Sequence, residues 1–345
     1  MNHLSFEVIQ EWNEVWSPNH LEKWMNILQQ SDNTNVFVHP TLLRAWTETY
    51  LPLRKLKPVF VWSTDNAGNE ALMPLVLWHH NWKHAYIKTI VPMGFSDFDF
   101  HDPLSLHPIK DKEEYWEQLF NFVKKNVFYD RIIIDSISDP FIGSSSRWQR
   151  NEKCPYIALN DISDENQLLQ FLGNNLRHDI RRRIRRFEQM GDVSLFIYKS
   201  WDEAYVSFKE FLEEHSRRWP QAYKAPSFHE NLFKAGLNSG LTHFSSLNIG
   251  NKPIAWHLGF VYKRRFFHYM TALHSEYAAY SPSKIHLYLL VKWAIENKCT
   301  VFDFLRGDEN YKSGWSNGYQ HVHSITIENN SFTSELKKAL LKLRP

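Results

Sequence analysis

The chain is short of the residues that define several protein classes. Its 345 residues include two cysteines, Cys154 and Cys299, whose separation matches no metal or redox motif, so we expect two reduced thiols. Twelve glycines and no low-complexity tract argue against extended disorder. No apolar run approaches the roughly 18 residues of a transmembrane helix. The formal net charge of +2 gives no global field that would indicate a DNA partner.

What the chain does contain is typical of a globular protein with two domains. Hydrophobic residues make up 43% and charged residues 23% of the sequence. Aromatic residues reach 15%, with 14 tryptophans. Large aromatic side chains fill cores, but they also line clefts that hold flat or extended ligands.

Both halves of the chain predict the same order of elements, namely a hairpin, a strand, a helix and a strand that carries an aspartate. In the first half the hairpin comprises residues 58–62 and 71–78, the next strand residues 85–91 and the helix residues 113–125. The last strand ends near Asp135. In the second half they are residues 241–248, 253–261, 265–272 and 283–297, then a strand over 300–305 that contains Asp303. We interpret this order as an α/β duplication with its boundary at residue 165/166.

The most distinctive segment runs from Tyr280 to Trp315. Ser281 and the residues after it open a helix that is apolar nearly all round, and the free N–H groups of a buried helix start attract phosphate. An aspartate in the following strand must be paired or near a ligand, because an isolated buried charge is costly. Arg306 is a nearby candidate partner. An ion pair that only pins the loop is the alternative to a functional role.

These residues resemble a known family. The string FDFLRGDENYKSGW (302–315), after a helix that begins SPSK (281–284), resembles the C-terminal signature of GNAT-related acyltransferases linked to bacterial exopolysaccharide or cellulose biosynthesis. That branch is related to the Fem-type transferases, which have tandem GNAT domains. The basic helix at 177–191 and the hairpin at 251–273 fit the same family, and residues 37–46 and 94–104 fit its weaker N-terminal pattern.

The resemblance implies tandem GNAT-like domains, each a mixed central sheet flanked by helices. Residues 166–345 would be catalytic. Residues 1–165 would be degenerate, because they lack a counterpart of the RGDENYKSGW segment. The expected reaction is direct acyl transfer from a thioester to an amine or a hydroxyl of a sugar or other envelope precursor, with the amine favoured over the hydroxyl. The expected location is the cytoplasm, with peripheral contact with the inner membrane as an alternative.

For this chemistry we predict Asp308 or Asp303 as the base or positioning group near the acceptor, and Tyr269 or Tyr311 as the acid that protonates the leaving thiolate. Anionic parts of the substrates would be held by Arg306 and Lys312. The remaining candidates for substrate binding in this half are Trp315 and His257, of which the histidine either points into the cleft or stacks in the core.

The donor is expected to be acyl-coenzyme A, as a co-substrate rather than a bound cofactor. The candidate donor-binding residues are Ser281, Ser283, Lys284, Arg181 and Arg182. GNAT enzymes hold the pyrophosphate on a glycine-rich loop, whereas residues 271–284 contain no glycine. An acyl-carrier protein or an aminoacyl-tRNA therefore remains an alternative donor.

The arginine helix at 177–186 is either a solvated face or an anion-binding face for donor phosphates, a carrier protein, RNA or a membrane surface. In the first half, Asp97, Asp99 and His101 form a candidate substrate loop, and we predict no metal there. Besides an acyl-CoA enzyme, two other functions stay open. One is a Fem-like transferase that uses aminoacyl-tRNA, and the other is an inactive binding module in polysaccharide assembly.

Overall fold

The computed structural model describes residues 4–32, 35–78, 87–138 and 147–342. The strands, in chain order, are β1 Ser5–Ile9, β2 Lys57–Thr64, β3 Glu70–Trp78, β4 Thr89–Pro92, β5 Leu104–Ser105, β6 Arg131–Ile137, β7 Gln149–Ala158, β8 Val193–Ile197, β9 Thr242–Ile249, β10 Lys252–Tyr262, β11 Arg265–Leu273, β12 Val301–Asp303 and β13 Gly318–Glu328. The helices are α1 Trp12–Val15, α2 Pro18–Gln30, α3 Pro40–Tyr50, α4 Lys112–Asn126, α5 Glu165–Phe171, α6 Asn174–Glu188, α7 Trp201–Arg218, α8 Phe228–Asn238, α9 Pro282–Glu296, α10 Asn310–Ser313 and α11 Phe332–Lys342.

The chain divides into two compact units. Unit 1 comprises Met1–Glu152 and His321–Pro345, and unit 2 comprises Lys153–Gln320. The predicted domain boundary at 165/166 differs from these ends. Residues 153–165 lie in unit 2, and the C-terminal segment from residue 321 lies in unit 1. The assignment of a degenerate first half and a catalytic second half stays a prediction.

The first five strands of the two units have the same order and the same directions, and a sixth strand from another part of the chain lies antiparallel to the fifth in each unit. In unit 1 the order is β1-β2-β3-β4-β6-β13, and in unit 2 it is β8-β9-β10-β11-β12-β7. Neighbouring strands are antiparallel except for one parallel pair in each unit, β4 with β6 and β11 with β12. A helix, α4 or α9, connects the strands of that parallel pair, as parallel pairing requires. The predicted fold class, a tandem of mixed sheets flanked by helices, is confirmed.

The predicted repeat elements all occur, with shifted ends. The helix expected at 283–297 is α9, and its mostly buried surface agrees with its apolar sequence. The strand expected at 300–305 is shorter, because β12 ends at Asp303. Residues 85–86 of the predicted third strand lie outside the described residues, and β4 begins at Thr89. The cysteines Cys154 and Cys299 are buried free thiols.

Helices pack on both faces of the unit 2 sheet. The helix α9 contacts β9, β10 and β11 and also the helix α6, while α7 contacts β10 and β11 and contributes to a separate apolar cluster. None of the helices in the described parts of the chain is long and apolar enough to cross a membrane.

The core between the sheet and α9 contains four buried histidines, which we call the histidine row: His243, His257, His268 and His286. The ring of His257 stacks on that of His268 at 4.5 Å between centroids and lies 6.2 Å from that of His243. His286 Nε2 is 3.0 Å from Ser245 Oγ. Burial lowers the pKa of His243, His268 and His286 to about 3, and that of His257 well below its usual range. The row is therefore neutral at pH 7.

The histidine row makes stability depend on pH. In the unfolded chain each histidine binds a proton near pH 6.5, whereas the folded protein resists protonation down to about pH 3. Because the folded-state pKa is lowered, stability is full above pH 6.5 and falls as the pH drops below it. We expect His243→Phe to reduce this loss by about 1.4 kcal/mol per pH unit. The measurement is the urea dependence of unfolding between pH 6.5 and 5, where most carboxylates remain ionised.

The substitution His178→Gln, at an exposed position of α6, serves as the control and should leave the pH slope unchanged. Equal slopes for the wild-type protein and His243→Phe would contradict the neutral histidine row.

Candidate functional site

The parallel strands of unit 2 separate after three paired residues. The β11–β12 ladder covers Arg265–Phe267 opposite Val301–Asp303, and β11 then continues to Leu273. The chain after Asp303 instead follows β7. Phe304 N–H donates to the Pro155 carbonyl and Gly307 N–H donates to the Lys153 carbonyl, each at 3.0 Å. We call the opening between residues 268–273 and 304–307 the fork.

A β-bulge lies in β11 at the base of the fork. Phe260 pairs with Phe267 but Leu258 pairs with Met270, so β11 has one extra residue at His268–Tyr269. The extra residue reverses the alternation of the strand. His268 contacts the rings of Phe302 and Phe304, whereas Met270 belongs to the cluster that packs on α7. Bulges redirect side chains and interrupt regular pairing, and they are frequent beside active sites.

The carboxylate of Asp303 is buried at the base of the fork. It accepts hydrogen bonds from Arg265 Nη2 at 2.7 Å and Nε at 3.0 Å, and from the Leu305 N–H at 2.8 Å. Burial raises the pKa of Asp303, and the Arg265 guanidinium opposes that rise. The ion-pair partner is thus Arg265, on the adjacent strand, where the sequence had indicated Arg306. These contacts favour a role in fixing the exit of the chain from β12.

The loop after β12 is organised around the ammonium group of Lys312. Its Nζ donates to the carbonyls of Arg306 at 3.0 Å and Gly307 at 3.3 Å, and lies 2.8 Å from Glu309 Oε2. Gly307 has φ +114°, and a β-carbon there would lie 2.6 Å from Glu309 Oε2. The positive φ favours glycine at this position, and a larger residue would also displace the Glu309 carboxylate. The buried charge of Lys312, predicted to hold substrate, is used to hold this loop.

The other predicted residues of this segment divide by exposure. The side chain of Asp308 is 65% exposed and lies 3.7 Å from Lys153 Nζ. Tyr311 is also exposed, with its ring edge-on to Phe304 at 6.4 Å. Trp315, in contrast, is buried in the core, and Tyr269 is half-buried against Phe260. His257 is fully buried, so of its two predicted placements the structure gives stacking in the core.

The start of α9 is surrounded by basic side chains of α6. Ser281 precedes the helix in the left-handed region at φ +57°. Arg183 Nη1 donates to the Tyr280 carbonyl at 2.7 Å, and the guanidinium of Arg186 lies 4.4 Å from the centre of the Tyr280 ring. Ser283, predicted with Ser281 to bind the donor, lies in the first turn and is half-buried. This arrangement puts cations beside a helix start, as an anion site requires.

Asp179 brings together two of the predicted donor-binding cations. Its carboxylate accepts from Lys284 at 2.7 Å, from Arg182 at 2.6 Å and from Arg183 at 2.9 Å. Burial raises the pKa of Asp179, but these hydrogen bonds outweigh it and hold the pKa well below its usual range. Arg181 is exposed on the same helix. A donor phosphate would therefore compete with Asp179 for Lys284 and Arg182.

The residues predicted in the first half all lie in unit 1. Asp97 accepts hydrogen bonds from Trp46 Nε1 at 3.0 Å and from the Tyr50 hydroxyl at 2.9 Å. His101 is buried, with Nδ1 3.0 Å from Asp135 Oδ1, and Asp99 lies in the same loop. These contacts anchor the loop to its own unit. Among the described residues, no group of three or more His, Cys, Asp or Glu side chains is arranged to hold a metal ion.

Sequence reasoning missed three residues that shape this site, namely Asp179, Arg265 and His268, and it named Arg183 only as part of the arginine helix. Asp179 and Arg183 lie at i and i+4 of a helix, a spacing that favours ion pairs and could have been noticed. Arg265 pairs across 38 positions of the chain, and no local pattern indicates such a contact. His268 could have been found from the alternation of β11, but the bulge that places it at the fork has no signature in the sequence.

Comparison with known families and structures locates the site within a recognised domain. Residues 174–313 match the family described as acetyltransferase (GNAT) domain, a match that covers less than half of the chain. It includes the bulge, the fork and the start of α9. The comparison with curated proteins finds no significant match.

Several solved structures share the fold. FemX aligns with a TM-score of 0.59 at 11% identity, over 94% of this chain and 98% of FemX. A conserved protein of unknown function from Bacteroides thetaiotaomicron VPI-5482 aligns with a TM-score of 0.56 at 10% identity, over 94% of this chain and 100% of that one. The C-terminal domain of a proposed lysylphosphatidylglycerol synthetase from Agrobacterium fabrum gives 0.56 at 10% identity, over 94% of both. Residues 174–313 of unit 2 are thus similar to the GNAT acetyltransferase domain, in a chain that shares the fold of FemX.

Proposed function

We propose that unit 2 catalyses direct acyl transfer from a thioester, acyl-coenzyme A by default, to an amine of a sugar or other cell-envelope precursor. The observation that carries the proposal is the fork. It opens at a bulge in β11, beside the start of a buried helix, and within the segment that matches the GNAT domain. The envelope precursor and the link to exopolysaccharide synthesis rest on the resemblance of residues 302–315 to that branch.

In this proposal the thioester lies along β11 inside the fork. Backbone N–H groups near the bulge, at His268–Met270, donate to the carbonyl oxygen as negative charge develops on it. Preorganised donors of this kind are worth roughly 100- to 1,000-fold in rate each. The phosphates of the donor lie at the start of α9, near Ser281, Ser283 and Lys284, with Arg181 and Arg182 of α6 beside them.

The surroundings of the two predicted carboxylates give them different roles in the reaction. The acceptor nitrogen attacks the carbonyl carbon, a C–N bond forms, and the C–S bond breaks. Asp308 is accessible and takes the proton that the nitrogen loses, whereas Asp303 is committed to Arg265 and acts as a positioning residue. The thiolate takes a proton from a tyrosine, and the exposed Tyr311 is better placed for this than the half-buried Tyr269.

The charged loop that Lys312 organises would bind anionic parts of the substrates through Arg306. Because the Lys312 ammonium already contacts Glu309 and two carbonyls, its contribution is to keep the loop in shape. Holding both substrates in reacting geometry can supply roughly 7–11 kcal/mol of the barrier reduction. No covalent enzyme intermediate is needed.

The first test asks whether Asp308 and Arg306 belong to the active site. We expect Asp308→Asn to lower kcat/KM by about 100-fold or more, because a positioned base contributes roughly 100- to 10,000-fold. Arg306→Ala should mainly raise KM, because it removes a binding contact. Activity is measured as thiol release from acyl-coenzyme A with a panel of amino sugars. Glu296→Gln, at the exposed end of α9, is the control and should keep wild-type activity. If both variants fold normally and keep full activity, the assignment of Asp308 and Arg306 to the active site is wrong.

The second test is of the donor. In a thermal-shift series over acyl-coenzyme A chain lengths, we expect one length to raise the Tm by several degrees, since ligand at about 100 times Kd adds roughly 2.7 kcal/mol. Lys284→Ala should reduce the shift, because Lys284 lies at the start of α9. Lys292→Ala, in the same helix but paired with Glu165, is the matched control.

A second candidate is a Fem-like transferase that uses aminoacyl-tRNA. The observation that favours it is the row of exposed arginines on α6, at residues 181, 182, 185 and 186. In that case no acyl-coenzyme A shifts the Tm, and the purified protein carries RNA that salt removes. An inactive binding module would show neither property, but the intact polar loop at 306–312 argues against that function.

A further inference from the structure

The C-terminal helix α11 packs on unit 1 through its polar side. Ser334 is buried and its hydroxyl donates to Asp130 Oδ1 at 2.6 Å. Lys337 Nζ lies 3.0 Å from both oxygens of the same carboxylate. Asp130 is itself fully buried, so these contacts neutralise a charge that would otherwise be costly. A hydroxyl and an ammonium group therefore anchor α11 to unit 1.

The opposite side of α11 is apolar and exposed. Phe332 is 82% exposed and Leu336 is 51% exposed, and Ala339 is exposed on the same stripe. Positions i, i+4 and i+7 share one face of a helix. A helix on the surface of a globular protein normally buries such a stripe and exposes its charged side. Among the side chains of α11 that the structure describes, the apolar stripe is exposed, while a hydroxyl and an ammonium group face unit 1.

A second exposed aromatic ring lies beside Lys337, at the edge of α11. Phe128, two residues after the end of α4, is 53% exposed. Lys337 Nζ lies 5.0 Å from the centre of its ring and Lys88 Nζ lies 4.7 Å from it. The last turn of α4 adds Lys124 and Lys125, both exposed. We call the set the basic apolar face: Phe128, Phe332, Leu336, Lys88, Lys124 and Lys125.

The charges around this surface are mainly positive. Asp130 is buried and bound by Lys337 and Ser334, and Glu328 pairs with Arg131 at 2.6 Å. Glu335 is the exposed acidic residue of α11. A second copy of the chain on this face would bring equal sets of lysines together, which like-charge repulsion disfavours. Exposed apolar side chains surrounded by lysines match the chemistry of an anionic lipid surface.

We propose that the basic apolar face binds anionic membrane surfaces, with Phe128, Phe332 and Leu336 entering the interface and the lysines contacting lipid phosphates. This binding site lies in unit 1 and does not depend on the transferase activity proposed for unit 2. It is also distinct in sequence from the arginine helix α6. The protein would then be held at the membrane by unit 1.

Co-sedimentation with phosphatidylcholine vesicles, with and without phosphatidylglycerol, tests this proposal. We expect the wild-type chain to bind only the vesicles with phosphatidylglycerol, and to bind them less at high salt. The double substitution Phe332→Ser and Leu336→Ser should weaken binding by roughly 10- to 100-fold, because it removes most of the inserted apolar area. Lys124→Gln with Lys125→Gln should weaken it by roughly tenfold or more.

Two controls make the result specific. Val206→Ser removes an exposed apolar side chain of α7 in unit 2 and should not change vesicle binding. Arg181→Gln with Arg185→Gln tests the arginine helix, and a loss confined to this variant would overturn the proposal. So would unchanged binding of the α11 double variant, or no binding of the wild-type chain to any vesicle. A dimer in sedimentation equilibrium that disappears in the α11 double variant would also overturn it.

Discussion

The ion pair between Asp303 and Arg265 determines where β12 leaves β11, and the candidate site depends on that point. The carboxylate is buried, so it must be paired, and its guanidinium partner is on the first residue of the neighbouring strand. The other carboxylate oxygen takes the Leu305 N–H and turns the chain towards β7. Removing Arg265 would leave an uncompensated buried charge, a change that typically costs roughly 3–5 kcal/mol. The fork is thus maintained by electrostatics as well as by strand pairing.

Around the fork, apolar packing and charge are arranged on different elements. The neutral histidines and phenylalanines fill the α9 side of the sheet, so this side of the fork is a region of low polarity. The exposed carboxylate Asp308 and the arginines of α6 lie on its accessible parts. A site of this kind strengthens interactions with charge that develops during a reaction, because few water molecules compete with the protein dipoles.

The repeat and its hairpins could be predicted from the sequence because they depend on local alternation and turn residues. The helix α9 could be predicted for the same reason, since its apolar composition sets its burial. The roles of the individual site residues were harder to predict from the sequence. The burial of Asp303 could be predicted from its strand, but its partner Arg265, 38 positions away in the chain, could not. Trp315 was assigned to substrate by proximity in sequence, while packing places it in the core.

The position of the sixth strand in each sheet could not be predicted from the local sequence. A strand pattern predicts a strand but does not indicate which strand it pairs with. Unit 1 receives β13 beside β6, although β6 ends at Ile137 and β13 begins at Gly318. On a ribosome, the first sheet would therefore wait for its last strand until residues 318–328 had been made. At about 5–20 residues per second that interval is roughly 10–35 seconds. During it the edge of β6 is unpaired, and a nascent chain in this state is a natural client for a chaperone.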